Sequence, residues 1–534
     1  MGHFKVIFKP DGRQISIHAG ATLLDACGQA GIILNTVCGG KGTCQKCLVR
    51  VQGDAKEVLA CQYRIETDLV VEVPHESRLF GHKILTHGVT SRRDVPPDIY
   101  KKYEFAGRTA GVYGVAVDVG TTTVVAKLMD MASGQAVATQ AVLNPQTRFG
   151  DDVISRITYG QSREGLAELH GVIIDCVNDL VHRLCADAAV TTEQIFEMCV
   201  VGNTTMNHIF LALPVEQLGQ APYRAYSIDA HDVSPAQLGL KMNPRGNVHT
   251  VENIAGFVGA DTVAVALAVD VASAEQVTLV VDIGTNGEIV LGTKDRLYAA
   301  SCAAGPALEG ARISCGSRAA DGAIESVVVT DADIDVDVIG GCEARSICGS
   351  GLIDAVAVLL NLGVVDPTGR FVGADHLAQL PGALGKRLCQ KHGQQAFVLT
   401  PESQRSSREV FLTQKDIREV QLAKGAIRTG IRLLQKRLGL RDSDIQKVLL
   451  AGAFGNYIRR ESAVHIGLLP AVPLERIEFV GNAASVGAQM ALISDHCRRQ
   501  CKELAREIEY VEIAHDPDFA DVFAESMLLA AEHG

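Results

Sequence analysis

The sequence predicts an α/β chain of two related lobes behind a small α+β domain. Three observations predict it. Four cysteines crowd the N-terminal region between short alternating segments, an Asp-x-Gly-Thr turn occurs twice, at Asp118 to Thr121 and Asp282 to Thr285, and a strand-and-helix pattern restarts at the second copy. The chain has 534 residues, too many for one hydrophobic core, and ordinary domain sizes suggest roughly three to four units.

Composition narrows the class. With 47% hydrophobic and 21% charged residues, the chain reads as folded globular protein. A formal net charge of -12 argues against a sequence-independent nucleic-acid binder, which needs Lys and Arg to displace counterions from phosphates. The opening Met-Gly-His-Phe-Lys lacks the apolar core of a signal peptide, and no run of 18 apolar residues occurs; the richest stretch, Asp261 to Val281, is broken by Asp270 and Glu275. The expectation is a cytoplasmic protein without nucleic-acid or membrane partners. There its fifteen cysteines are not a disulfide framework.

Residues 4–9 and 13–18 alternate apolar and polar around Asp11-Gly12, which reads as a hairpin. Thr22 to Ala30 reads as a short helix, followed by a cysteine loop and strands near Leu48 to Val51 and Leu69 to Val73. That order suits a small ferredoxin-like sheet over residues 1–76. Between 77 and 110 apolar periodicity fades, and Arg92-Arg93, Pro96-Pro97 and Lys101-Lys102 mark a linker with a solvated charged face.

The first lobe, 111–276, has strand patterns at 114–118, 122–130 and 136–142, a helix at 165–186 and a strand from Glu197 to Val201. The second, 277–534 with a C-terminal tail, repeats strands at 278–282, 287–292 and 296–300. Ile417, Val420, Ala423, Ile427, Ile431 and Leu434 recur at steps of three and four, and Thr413-x-x-Asp416 reads as the helix cap before them. Strands from Lys447 to Leu450 and Ile477 to Val480 complete the lobe, and a tail after Tyr510 to Ile513 is expected to dock on it.

Cys38, Cys44 and Cys47, followed by Cys61, supply four thiolates from a loop containing Gly39, Gly40 and Gly42. Small residues let the backbone wrap a cluster and aim N–H groups at its sulfurs. The spacing reads as a [2Fe-2S] site, with structural zinc the alternative; only one Cys-x2-Cys knuckle exists, where zinc ribbons pair two. It has one residue more in its first gap than the plant-type Cys-x4-Cys. Cys27, on the preceding helix, reads as a core residue.

Each Asp-x-Gly-Thr turn sets a carboxylate at the end of an apolar strand. Gly120, Thr121, Thr122 and Thr123 in one, and Gly284, Thr285, Asn286 and Gly287 in the other, offer backbone N–H groups and hydroxyls to phosphates. Asp118 and Asp282 can hold Mg2+ through water. No Gly-x4-Gly-Lys-Ser/Thr occurs, and Gly349-Ser350-Gly351 is too sparse for a dinucleotide fingerprint. Gly452 and Gly455 are candidates for meeting the nucleotide base, with Gly481-Asn482-Ala483 nearby.

The paired turns resemble the duplicated, RNase H-like lobes of the acetate and sugar kinase, Hsp70 and actin superfamily. More closely, the chain resembles the reductive activators of corrinoid proteins, which join an N-terminal [2Fe-2S] domain to that ATPase fold. The likeness runs through Cys38-Gly-Gly-Lys-Gly-Thr-Cys44-Gln-Lys-Cys47, Leu59-Ala-Cys61-Gln62, Asp118-Val-Gly-Thr-Thr-Thr123, Val201-Gly-Asn-Thr-Thr-Met206, Gly259-Ala-Asp-Thr262, Asp282-Ile-Gly-Thr-Asn-Gly-Glu288, Ile313-Ser-Cys-Gly316, Ile347-Cys-Gly-Ser-Gly-Leu-Ile-Asp354 and Ala451-Gly-Ala-Phe-Gly-Asn456. Similar proteins carry a longer excursion between the third and fourth cysteines.

The resemblance implies ATP, Mg2+ and a [2Fe-2S] cluster as cofactors. It implies a corrinoid protein or corrinoid methyltransferase as partner, an upstream electron donor and a homodimer. The implied reaction returns one electron to Co(II), regenerating Co(I). Plant-type centres lie near about -400 mV, and each 59 mV of one-electron mismatch costs roughly 1.4 kcal/mol. ATP can shift that balance only if its states favour different conformations. Asp118 and Asp282 would handle Mg2+ and the attacking water, with Glu288 and Asp261 as secondary candidates for positioning water.

Three rivals are an activator of the 2-hydroxyacyl-CoA dehydratase type, a small-molecule kinase whose cluster senses redox state, and a non-enzymatic electron-transfer scaffold, which the intact paired turns disfavour. Cys302, Cys315, Cys342 and Cys348 are read as buried structural thiols. His208 is expected to pack on its helix, and no His-Glu-x-x-His pattern occurs among the sixteen histidines.

Overall fold

Apolar residues at alternate positions, Val6, Phe8 and Ile17, pair the strands His3–Lys9 and Arg13–His18 into an antiparallel hairpin and bury one of its faces. In the computed structural model the described residues are 3–10, 12–30, 32, 34, 42, 47–52, 57–74, 77, 95–103, 111–330, 333–373, 382–400, 409–452 and 458–529. They fall in two compact units, Met1–Lys83 with Gln146–Asp151, and Ile84–Pro145 with Asp152–Gly534.

The first unit holds a five-stranded sheet. The hairpin continues through Leu69–Glu72, parallel to His3–Lys9, then Leu48–Val51 and Val58–Leu59, both antiparallel to their neighbours. Helix Leu23–Gln29 is started by Thr22 and Asp25, which exchange bonds: Asp25 N–H donates to Thr22 Oγ1 at 3.1 Å and Thr22 N–H to Asp25 Oδ2 at 3.0 Å. Leu23, Ala26 and the expected core residue Cys27 share a core with Phe8, Ile65 and Val71.

The second unit contains two six-stranded sheets that share a five-strand order, with the sixth strand added at opposite edges. In the first, Tyr113–Val119 pairs antiparallel with Thr123–Asp130, which pairs with Ala136–Leu143; on its other side Tyr113–Val119 runs parallel to Ile195–Val201. In the second, Thr278–Ile283, Gly287–Thr293, Arg296–Cys302 and Lys447–Ala451 repeat that arrangement. Asp118 and Asp282 occupy the same place, one residue before the end of each central strand. Long helices Arg163–Ala188 and Gln414–Leu438 pack on the first and second sheets, and Thr413 caps the latter as its sequence implies, with its side chain accepting from Asp416 N.

Further strands, Ile477–Gly481 as its sequence implies and others with little sequence signal, extend this frame. His231–Val233 and Asn247–Thr250 complete the first sheet, Ile477–Gly481 and Ile508–Tyr510 the second, and two three-stranded sheets lie between Ala323 and Thr413. The tail docks as expected: Ile508–Tyr510 runs parallel to Arg296–Cys302, and helix Phe519–Ser526 lies on Gln414–Leu438. Helix Ala483–Ile493, from the second half, packs beneath the first sheet and against helix Ala260–Val269.

Of the expected linker, only Ser77 and residues 95–103 are described. Lys101 and Lys102 are exposed, as a solvated face requires. The segment is nevertheless strapped down: Asp98 N–H donates to Ile493 O at 3.0 Å, Asp98 Oδ1 accepts from Asp495 N–H at 2.8 Å, Lys102 pairs with Asp495 at 2.9 Å, and Tyr103 donates to Glu197. No helix among the described residues is long and apolar enough to cross a membrane.

Candidate functional site

Antiparallel pairing brings carboxylates together at the strand ends. Asp282 and Glu288 are direct cross-strand neighbours, so they share one face of the second sheet, whereas the partner of Asp118 is Val125. Asp261 enters from the first turn of helix Ala260–Val269. All four side chains are partly accessible yet desolvated.

Burial, then the negative charge of Asp261, pushes Asp118 up to about 7, against a bond from Asn482 that favours its ionised form. Burial, then Asp261 and Asp118, pushes Asp282 up to about 7. Burial likewise raises Asp261 to about 6, opposed by N–H donation from Thr262. Glu288 is raised well above the usual carboxylate range by burial and by Asp261 and Asp282. Four acids that suppress each other's ionisation are gathered here, but among the described residues no three His, Cys, Asp or Glu side chains are grouped to hold a metal ion directly, so a cation here would be met through water.

The two turns face each other. Thr122 Oγ1 and Thr285 Oγ1 lie 2.9 Å apart, bonded across the lobes. In the first turn, Gly120 N–H donates to Thr123 O at 2.9 Å, Asn144 Nδ2 to Gly120 O at 2.8 Å, and Asn203 Nδ2 to Thr121 Oγ1 at 2.9 Å; buried Arg156 donates to Thr121 O. In the second, Gly284 N–H donates to Asn286 O at 3.0 Å and Thr285 Oγ1 to Glu309 Oε1 at 2.7 Å, with Arg318 3.9 Å from Glu309. Gly287 opens the strand Gly287–Thr293.

Gly452, at φ +97°, sits against Asp282: a Cβ there would lie 2.6 Å from Oδ1. Gly455 lies outside the described residues. Asn482 faces the carboxylates: its Nδ2 donates to Asp118 Oδ2 at 3.2 Å, and its Oδ1 caps helix Ala483–Ile493 by accepting from Ser485 N–H at 2.9 Å.

Sequence reasoning missed the roles of Asn144, Arg156, Asn203, Glu309 and Asn482. For Asn203 the signal was present in Val201-Gly-Asn-Thr-Thr-Met206, where it also caps helix Thr204–Phe210. His208 packs on that helix as expected: its Nδ1 lies 2.7 Å from Thr204 O, and burial lowers it to about 4. Cys302, Cys315 and Cys348 are buried. Cys342 is not: it follows the turn Ile339–Gly341, whose Gly340 and Gly341 are exposed, and is itself exposed.

In the first unit, Leu48 pairs with Leu59, and Ala60 N–H donates to Cys47 O at 2.9 Å. This register brings Cys47 and Cys61 to one end of the strand pair, both buried. Cys38 and Cys44 lie outside the described residues. Two soft, buried sulfur donors at one strand end fit an iron–sulfur centre.

Comparison with known proteins decides the family. Residues 276–533 match a model described as the C-terminal domain of RACo, the ASKHA domain; residues 113–274 match the RACo middle region; residues 4–76 match a 2Fe-2S iron-sulfur cluster binding domain. The corrinoid activation enzyme RamQ of Eubacterium limosum is 34% identical over 97% of this chain and 98% of its own length. The chain belongs to the reductive activators of corrinoid proteins. A second relative of this activator is the [Co(II) methylated amine-specific corrinoid protein] reductase of Methanosarcina barkeri, 26% identical over 71% of the chain and 70% of its own length. A solved reductive activator for corrinoid, iron-sulfur protein superposes with a TM-score of 0.73 at 31% identity, covering 98% of both chains. The activator thus carries a 2Fe-2S domain and an ASKHA domain of the ATPase type.

Proposed function

We propose that this chain returns one electron to the Co(II) corrinoid of a methyl-transfer protein, regenerating Co(I), at the expense of ATP. The observation that carries the reading is the carboxylate cluster beneath facing hydroxyl turns, in a chain aligned end to end with a corrinoid activation enzyme. Cys38, Cys44, Cys47 and Cys61 would hold the [2Fe-2S] cluster, which supplies a one-electron store. Asp118 and Asp282, with Asp261 beside them, would hold Mg2+ through water. Asp118, Asp282, Glu288 and Asp261 then orient the attacking water and take its proton.

Gly120, Thr121, Thr122, Thr123, Gly284, Thr285, Asn286 and Gly287 bind phosphate oxygens, and Gly452 and Gly455 admit the nucleotide beside Asp282. Insertion of a phosphate between Thr122 and Thr285 breaks their mutual bond and turns both hydroxyls to the ligand, Thr285 releasing Glu309 to do so, and the lobes thereby answer to the presence of the terminal phosphate. ATP and ADP therefore favour different arrangements of the chain, which differential binding requires. The activator works in the cytoplasm, as a homodimer, with an upstream reductant.

The test mixes reduced, anaerobically purified protein with a Co(II) corrinoid partner and follows Co(I) absorbance with and without MgATP. MgATP-dependent Co(I) formation with release of free phosphate is expected. Phosphate transfer to a small-molecule hydroxyl, with no change at cobalt, would instead identify a redox-sensing kinase.

A further inference from the structure

Gln62 directly follows Cys61, and its side chain turns back on it: Nε2 donates to Cys61 Sγ at 3.6 Å. The outer flank of Gln62 is exposed, but Cys61 is only 7% exposed, so the sulfur end of the bond is shielded from water. The backbone fixes the geometry, with Gln62 N–H donating to Leu59 O at 2.9 Å and Ala60 N–H to Cys47 O at 2.9 Å. On its other side the amide rests on Gly42, in the loop between Cys38 and Cys44. Gly42 has φ +76°, and a Cβ there would lie 3.0 Å from Gln62 Cγ, 3.2 Å from Cδ and 3.3 Å from Nε2. The glutamine amide is thus held between a loop glycine and a cysteine sulfur.

We propose that Gln62 is a positioning residue that sets the reduction potential of the cluster by donating to Cys61 Sγ, with Gly42 as the seat of its side chain. The inference rests on the four cysteines being the [2Fe-2S] site. One-electron reduction adds negative charge that is shared by the cysteine sulfurs. An N–H dipole aimed at one of them stabilises the reduced form more than the oxidised form and raises the potential. No proton moves at Gln62 and no bond is made or broken. In a protein that must reduce a low-potential metal, this donor makes the cluster easier to charge and a weaker reductant once charged.

The test is an EPR-monitored redox titration of the full chain, wild type against Gln62→Leu, which keeps volume and removes the donor. The expected result is a more negative midpoint in the variant, with the equilibrium constant for one-electron reduction lowered up to tenfold, about 59 mV. Gly42→Ala, whose methyl group displaces the amide, moves the midpoint the same way. An unchanged midpoint in Gln62→Leu with iron and sulfide intact overturns the role of Gln62. Wild-type protein lacking iron and acid-labile sulfide overturns the cluster reading itself. If Gln62→Leu loses its cluster, Gln45→Glu protein, which lacks the other glutamine amide between the cluster cysteines, grown with glutamine carrying 15N in the side-chain amide decides by hyperfine spectroscopy of the reduced state: a side-chain 15N coupling supports the bond, and its absence overturns it.

Discussion

Asn482 donates to Asp118 across 364 positions of sequence, at 3.2 Å, while the oxygen of the same amide caps helix Ala483–Ile493. One side chain therefore serves a carboxylate of the first lobe and the start of a helix from the second half. Asn482→Ala should lose both. Removal of the cap costs about 0.5–2 kcal/mol, read as a lower denaturation midpoint, and the pH profile of ATP hydrolysis should shift upward because a bond favouring ionised Asp118 is gone. A profile that stays in place would make Asn482 structural only.

Asp282→Ala should abolish ATP hydrolysis while leaving the visible spectrum of the cluster unchanged. Asp282 belongs to the second compact unit and Cys47 and Cys61 to the first. Loss of both properties would mark a folding defect.

Thr285→Val removes the hydroxyl that bonds Thr122 and Glu309. It also removes the proposed bond to a charged phosphate oxygen, which contributes about 1.5–3 kcal/mol, so kcat/KM for ATP should fall by roughly ten- to a hundredfold. Glu309→Gln, which keeps an acceptor for Thr285, should lose less. Steady-state phosphate release measures both.

The acid cluster makes stability depend on pH with a definite sign. Asp118 and Asp282 are raised to about 7 and Asp261 to about 6, from 3.8, so between pH 4 and 7 the folded chain binds protons that the unfolded chain has released. Their contribution to stability is fully present below about pH 4 and is lost as pH rises through 6 and 7. Without nucleotide, the thermal midpoint should fall over this range, and less steeply in Asp282→Asn. Since a cation needs the ionised acids, MgATP should raise the midpoint more at pH 8 than at pH 6.

Two ion pairs near the strap should differ sharply. Arg498 reaches Glu197 at 2.7 Å with side chains 11% and 1% exposed, whereas Lys102 and Asp495 are 49% and 39% exposed. Arg498→Met should cost about 3–5 kcal/mol because Glu197 is left buried and charged. Lys102→Met should cost at most about 1 kcal/mol. Chemical denaturation separates them.

What was legible in the sequence was local. The hairpin around Gly12, the paired strands ending in Asp118 and Asp282, and the capped helix Gln414–Leu438 each carry their own periodicity or turn chemistry over a few residues. The contacts that finish the site do not. Glu309 meets Thr285 from 24 residues away, and no local pattern foretells it. His231–Val233 and Asn247–Thr250 are short and mostly polar, and they are strands because Ile195–Val201 offers an open edge to Asn247–Thr250, which in turn pairs with His231–Val233. Cys342 reads like its neighbouring cysteines until the turn before it is seen to face solvent.

Helix Ala483–Ile493 carries a consequence for biosynthesis. It covers the inner face of a sheet whose own strands lie between Tyr113 and Thr250, beside Ala116, Cys199 and Val201. A nascent chain released only as far as the first lobe exposes that apolar face for the time needed to make more than two hundred further residues. The amino-terminal lobe is therefore completed only by its own carboxyl-terminal half, and its open apolar face is prone to aggregation until that half emerges.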